Sequence, residues 1–371
     1  MSDKLIFTGM LAIAVVGAYL GIVGVSNVLG ASFDLGDLAP SLSMNATGAT
    51  GGASGFLASA ASVIGGASSH EASRFMISFD NLKNIYPAKL NLQGDIRIYD
   101  VDVYTHTSPE ILMVSTNRGL YYSDNTGLTW RAVKTPQGEI TTESVVLRVV
   151  PVDTNSYLVS VFQNGVGFVY YTSDMFATLQ RLVYFADEGV YDMVAYGNTL
   201  YLAMSNGQLI QYDRVKETFR VTHTFPSPIV RLYDNKDGFF YALLKSGVLM
   251  QAAGPLGEYT KISVQKGWFS SGSMKSVGFA SSGDIYALGK EGLYRSENYG
   301  VTFDLIDNIP LLKKQIDALA VSGNVVYIIS NGRMYISTNA GGSWKLQDNI
   351  PSDFGVHQFY FLGGGRVILS E

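Results

Sequence analysis

The chain has 371 residues, 47% hydrophobic and 15% charged, with 26 Lys+Arg against 31 Asp+Glu and no Cys. The net charge of −5 leaves no basic surface for phosphate and argues against a nucleic-acid binder. Without Cys there are no disulfides, thiolate metal sites or Cys nucleophiles. The 40 Gly, 23 Tyr and 19 Phe favour many strands joined by tight turns over a helical bundle.

Residues 5–28, LIFTGMLAIAVVGAYLGIVGVSNV, hold no charge. As a helix they would span roughly 36 Å, enough for a bilayer core of about 30 Å. The expectation is a single-pass, uncleaved membrane anchor. Lys4 on one side and Asp34 and Asp37 on the other orient the remainder outside the cytoplasm. The rival reading is a cleaved signal peptide, with Val28 and Gly30 at −3 and −1, but its apolar core would be shorter.

Between Gly30 and Ser69, Gly, Ala, Ser and Thr make up 27 of 40 residues, and Asp34 and Asp37 are the only charges. This composition builds no packed core and reads as a flexible linker over 29–73. Ser54–Ile64 is a candidate short helix, and Asn45-Ala46-Thr47 is a glycosylation sequon.

From Arg74 onward a strand–strand–Gly turn–strand pattern recurs. The turns fall at Gly119, Gly165, Gly207, Gly247, Gly292 and Gly332, spaced by 46, 42, 40, 45 and 40 residues. A period of about 40–50 residues with four short strands is the mark of propeller blades. Six units span 96–134, 144–184, 190–224, 229–264, 274–308 and 315–350. A seventh is expected from both ends, two strands from 356–371 and the outer half from 75–90. Six and eight blades stay open, because units 3 and 4 are degenerate.

Three loops share a pattern in the same phase of the repeat. They are Ser123, Asn125, Gly127, Thr129 and Trp130; Ser296, Asn298, Gly300, Thr302 and Phe303; and Ser337, Asn339, Gly341, Ser343 and Trp344. Decayed copies keep Asp174 and Thr178, and Ser78 and Asp80. The Asn side chain is suited to an Asx-turn, the Gly to a backbone closed to residues with a Cβ, and the aromatic to packing beside the next blade. The box therefore reads as a fold staple. These residues resemble the Asp-box repeat of bacterial neuraminidases, found also in sortilin propellers and in propellers of the photosystem II assembly-factor type. The resemblance covers roughly residues 74–371. It implies a β-propeller. With the seven units counted above, the expectation is an all-β, seven-bladed β-propeller behind the N-terminal membrane helix and linker.

Sialidases of that group carry an Arg triad, an early Arg-Ile-Pro motif and a Tyr–Glu pair. Here the early motif is Arg97-Ile98-Tyr99, lacking the Pro, and no Tyr–Glu pairing stands out. His70, His106, His223 and His357 share no metal-ligand spacing. No catalytic residue, metal or cofactor is expected. The leading expectation is a protein-interaction or assembly module of a membrane or surface complex, displayed outside the membrane. The alternative is a sialidase-like glycosidase or glycan-binding lectin.

Aligning the first strand of each unit places Asp102 (or Asp100), Arg148, Asp192, Arg231, Ser276, Asp317 and Gln358 just ahead of the apolar run. One polar residue per blade predicts a ring at one mouth of the central channel. Alternating charges in a narrow funnel should pair with each other. The functional reading of the same ring is a small-ligand or peptide-terminus site, with Arg148 and Arg231 on a carboxylate.

Overall fold

The computed structural model describes residues 74–80, 82–89, 96–104, 111–125, 127–152, 156–234, 238–262, 274–310, 316–351, 353–356, 358–363 and 366–370. The anchor expected over 5–28 and the linker expected over 29–73 lie outside them, as do His70, His106 and His357. Among the described residues no helix is long and apolar enough to cross a membrane.

The strands pair into seven four-stranded antiparallel sheets. The first strands of blades 1 to 6 are Ile98–Tyr104, Val145–Pro151, Val190–Tyr196, Ile229–Asp234, Met274–Phe279 and Ile316–Ser322. Blade 7 takes its first two strands, Gln358–Gly363 and Arg366–Ser370, from the C-terminal end. Its outer two, Arg74–Ser78 and Tyr86–Lys89, come from the N-terminal side. The seam is the antiparallel pairing of Phe75 with Ser370 and of Ile77 with Ile368. It joins residues almost three hundred positions apart and leaves no blade edge open between the ends.

The fold has seven small cores in place of one. Each apolar cluster is shared by two adjacent blades. Leu158 and Val169 of blade 2 meet Val190 and Leu202 of blade 3, and Tyr201 and Leu209 of blade 3 meet Ile229 and Phe240 of blade 4. A second strand is therefore covered on both faces, which suppresses the usual in–out alternation. Tyr157–Gln163 is buried at its first six positions, and Thr199–Met204, Phe239–Leu244 and Val325–Ser330 are buried at every position after the first. The six turn glycines named above all have positive φ, between +69° and +147°. At Gly207 a Cβ would also lie 2.6 Å from the Phe225 carbonyl oxygen, so both conformation and space require glycine.

The box loops join third to fourth strands. In blade 5 the Ser296 hydroxyl donates to Asn298 Oδ1 at 3.0 Å and accepts from Gly300 N–H at 2.8 Å. Asn298 Oδ1 also accepts from Thr302 N–H at 2.8 Å, and its amide donates to Thr302 Oγ1. Blades 1 and 6 repeat this network through Ser123, Asn125 and Thr129, and through Ser337, Asn339 and Ser343. The decayed copies build the same loop: Thr172 and Asp174 bond Phe176 and Thr178, and Ser78 and Asp80 bond Leu82 and Asn84.

The box aromatics face the other way from the expectation. Trp130, Phe303 and Trp344 each enter the core shared with the preceding blade, the one that holds Ile77, Ile262 or Ile306 respectively. The box Gly shows the same direction. A Cβ on Gly300 would meet Ile262 Cδ1 of blade 4 at 2.8 Å, and one on Gly341 would meet Ile306 Cδ1 of blade 5 at 2.8 Å. Where the box has decayed, a large side chain takes the Gly place and fills the interface itself. Phe176 and Leu82 sit there with φ of +67° and +66°, both buried. Opposite Leu82 the blade 6 position is Gln347, whose amide donates to the Leu82 carbonyl at 3.0 Å.

Strand order fixes the faces. First strands run away from the side carrying the second-to-third turns; Asn117, in such a turn, accepts the Arg97 N–H at 2.8 Å beside the start of the blade 1 first strand. First-to-second and third-to-fourth connections lie at the opposite end, here called the box face. The chain preceding Arg74 enters a third strand, so it joins at the turn face.

Candidate functional site

Each first strand of blades 1 to 6 carries a register shift near its start, between Ile98 and Asp100, Val146 and Arg148, Val190 and Asp192, Ile229 and Arg231, Met274 and Ser276, and Ile316 and Ala318. The extra residue kinks the strand and re-aims the side chains beyond it. Asp100, Arg148, Asp192, Arg231, Ser276 and Ala318 then occupy one position of the ladder, opposite Ser115, Ser160, Ala203, Leu243, Leu288 and Ile329. Gln358, opposite Ser370, completes the ring in register.

Two expected members fall out of phase with this position. In blade 1 the position belongs to Asp100, and Asp102 pairs two residues further on with Met113. In blade 6 it belongs to Ala318. Asp317 is the bulged residue, exposed, and its carboxylate accepts from Asn331 N–H at 3.1 Å in the adjoining turn. The bulge is common to all six strands, so the two misplacements come from where an apolar-run alignment starts the run, at Val103 after Asp102 and at Ala318 after Asp317.

The charged members join side by side. Arg148 Nη1 lies 2.5 Å from Asp100 Oδ1, and its Nε 2.8 Å from Asp192 Oδ1. Arg231 Nη1 stands 4.0 Å from the same Asp192 oxygen. The carboxylates also close backbone edges. A first strand has no neighbour on its channel side, so N–H groups there need partners. Asp192 Oδ2 accepts from Leu232 N–H of the next blade at 2.8 Å, and Asp100 Oδ2 from Val149 N–H of the next blade at 3.4 Å. Ser276 donates to the Leu319 carbonyl of the next blade at 3.3 Å.

Asp100 and Asp192 are 6% and 1% exposed, against about a quarter for the two Arg side chains. Burial pushes the Asp100 carboxyl above the usual carboxylate range, against the pull of Arg148 and Arg231. Burial likewise pushes the Tyr233 hydroxyl up to about 12. Two Asp and two Arg balance, so the cluster is a neutral plug across blades 1 to 4. Arg148 is spent on the two carboxylates, which also bond the backbone. Arg231 makes only the 4.0 Å approach to Asp192, and among the described residues its buried Nη1 has no hydrogen-bond partner.

His223 packs edge-on against Tyr259 with centroids 4.6 Å apart, and burial lowers its pKa. Among the described residues no group of His, Asp or Glu has the arrangement to hold a metal. The sequence reading missed a cavity of about 440 Å³ lined by Leu232–Asp234, Val277–Phe279 and Leu319–Val321. These are the fourth to sixth residues of three first strands, so the cavity lies toward the box face, away from the start-of-strand ring. No sequence signal marks it, because its lining residues look like ordinary strand.

Fold and ring together define a closed seven-bladed β-propeller with a self-paired polar channel. No protein-family model matches the sequence, and no curated protein matches it. Solved structures do. YCF48 from Cyanidioschyzon merolae superposes with a TM-score of 0.60 at 15% identity, covering 76% of this chain and 98% of that one. YCF48 bound to D1 peptide gives 0.57 at 13%, over 76% and 97%. The extracellular domain of the B. thetaiotaomicron one-component system BT4673 gives 0.54 at 15%, over 75% of this chain and 38% of that one. At these identities the likeness is one of fold.

Proposed function

We infer that the chain is a membrane-anchored, extracytoplasmic propeller that serves as a protein-interaction module in the assembly or upkeep of a membrane or surface complex. The observation that carries the reading is the charge plug. Arg148, the side chain best placed to hold a substrate carboxylate, is ion-paired on both sides, to Asp100 and Asp192. A sialidase needs such arginines open to substrate. The loops of the three full boxes are committed to turn hydrogen bonds, as a fold staple would be. A propeller of this shape, YCF48, has been solved with a peptide bound, which supports a polypeptide as the partner class. The uncharged 5–28 segment supports the anchor, and the Gly/Ala/Ser-rich stretch after it the tether.

The test is a two-arm assay on the full chain purified from membranes. In-cell crosslinking is expected to join it to a second polypeptide, while a sialylated-glycan array and a fluorogenic sialoside give no signal. Glycan retention or sialoside turnover, with no crosslinked polypeptide, would overturn the reading in favour of a glycosidase or lectin.

A further inference from the structure

The two faces of the ring differ in chemistry. Of the eight large apolar side chains exposed among the described residues, all but Leu305 lie in or beside box-face connections. Single exposed apolar residues are ordinary, but their collection on one face is not. On blades 4 and 5 they connect to the cavity. Exposed Tyr299 stacks near Phe239 with centroids 5.9 Å apart, Phe239 meets Tyr241 at 6.4 Å, Tyr241 meets Phe279 at 4.7 Å, and Phe279 meets Tyr233 at 4.8 Å. Phe279 and Tyr233 are cavity walls. An unbroken aromatic path thus runs from the surface to the channel.

The surround is acidic. Among the described residues, the box-face connections of blades 4 and 5 and the strand ends beside them carry Asp234, Glu258, Asp284, Glu297 and Asp304 against Lys261 and Arg295. The neighbouring Arg295 is taken up by Asp284 at 2.7 Å and Glu297 at 2.5 Å. The chain's own preceding segment joins at the opposite face, so it does not start over this patch.

We propose that the box face of blades 4 and 5 docks a partner-protein segment that places an aromatic or branched apolar side chain in the cavity, flanked by Lys or Arg facing the acidic connections. Half-buried Tyr233, Phe279 and Val321 give the cavity apolar contact, while Leu232, Val277 and Leu319 are buried between blades and leave strand backbone as the rest of the wall. That mixture suits a polypeptide segment, and about 440 Å³ accommodates one or two large side chains. The acidic rim disfavours an anionic membrane surface. The proposal rests on the protein-interaction reading and names its surface.

The experiment is selection of a random 12-residue phage-displayed peptide library on the full chain in detergent, followed by titration of the enriched peptides. Enriched sequences should combine Lys or Arg with Trp, Phe or Leu. Their affinity should fall at least tenfold with Ala320→Phe, which fills the cavity, and with the surface pair Leu256→Ser and Glu258→Lys, which leaves the core alone. Lys290→Glu on the turn face should change nothing. Enriched peptides that are acidic, or that respond to Lys290→Glu and not to the box-face variants, overturn this proposal while leaving the protein-interaction reading standing. No enrichment above an empty-detergent control counts against both.

Discussion

Arg148→Met removes the centre of the channel plug and keeps the length of the side chain. It leaves Asp100 and Asp192, 6% and 1% exposed, facing each other across the blade 1–2–3 junction without the guanidinium that lies 2.5 and 2.8 Å from them. Breaking a buried ion pair from one side costs about 3–5 kcal/mol, because the remaining charge stays buried. Both carboxylates keep backbone donors, Val149 N–H and Leu232 N–H, which holds the loss toward the lower end. For a domain of this size 1 kcal/mol corresponds to about 2–4 °C in Tm, so a fall of about 6–12 °C is expected by calorimetry. Adding Asp100→Asn should recover part of it, since the neutral amide needs no counter-charge. A variant melting within about 1 °C of wild type, well below that shift, would refute the plug and would mean that Arg148 is available for a ligand.

Gly300→Ala should destabilise by about 2–4 kcal/mol, from an L-residue at φ +89° plus contact with Ile262 Cδ1 at 2.8 Å. Ile262→Val in the same chain should recover about 1 kcal/mol of that by denaturant titration; strict additivity would contradict the interlock. Phe303→Ala, at a residue 3% exposed, should cost about 3–5 kcal/mol, and Trp130→Ala and Trp344→Ala, half-buried, about 2 kcal/mol each; the reverse order would contradict the packing. Burial raises the folded pKa of Asp100 above its ordinary value. Its contribution is therefore largest below that ordinary value and is lost as pH rises through the folded pKa. The difference in Tm between Asp100→Asn and wild type should move in favour of Asn over that window, and a difference that stays constant across the acid range would contradict the shift.

Much of this architecture was legible because a repeat reports itself several times. The six turn glycines marked the second-to-third connections, and the strands at the two ends paired as a closing blade because each lacked the half the other supplied. The boxes were readable as loops, but not the side on which their aromatics pack. That depends on the tilt between blades, which no local spacing encodes. Within the ring, Arg148, Asp192, Arg231 and Ser276 lie in phase, as does Asp100, the alternative to Asp102, while Asp317 is one residue out because an apolar-run alignment starts the run of its strand one residue early, at Ala318. The cavity stayed invisible because Leu232, Val277 and Leu319 occupy positions where any propeller strand carries an aliphatic residue.

Native mass spectrometry of the protein extracted from its own membrane in mild detergent tests the central claim most directly. The account predicts an assembly heavier than the 40.2 kDa of the full chain, holding a second polypeptide and still carrying residues 5–28. A bare monomer whose mass begins near residue 31, with no bound polypeptide, would contradict both the anchor and the interaction module.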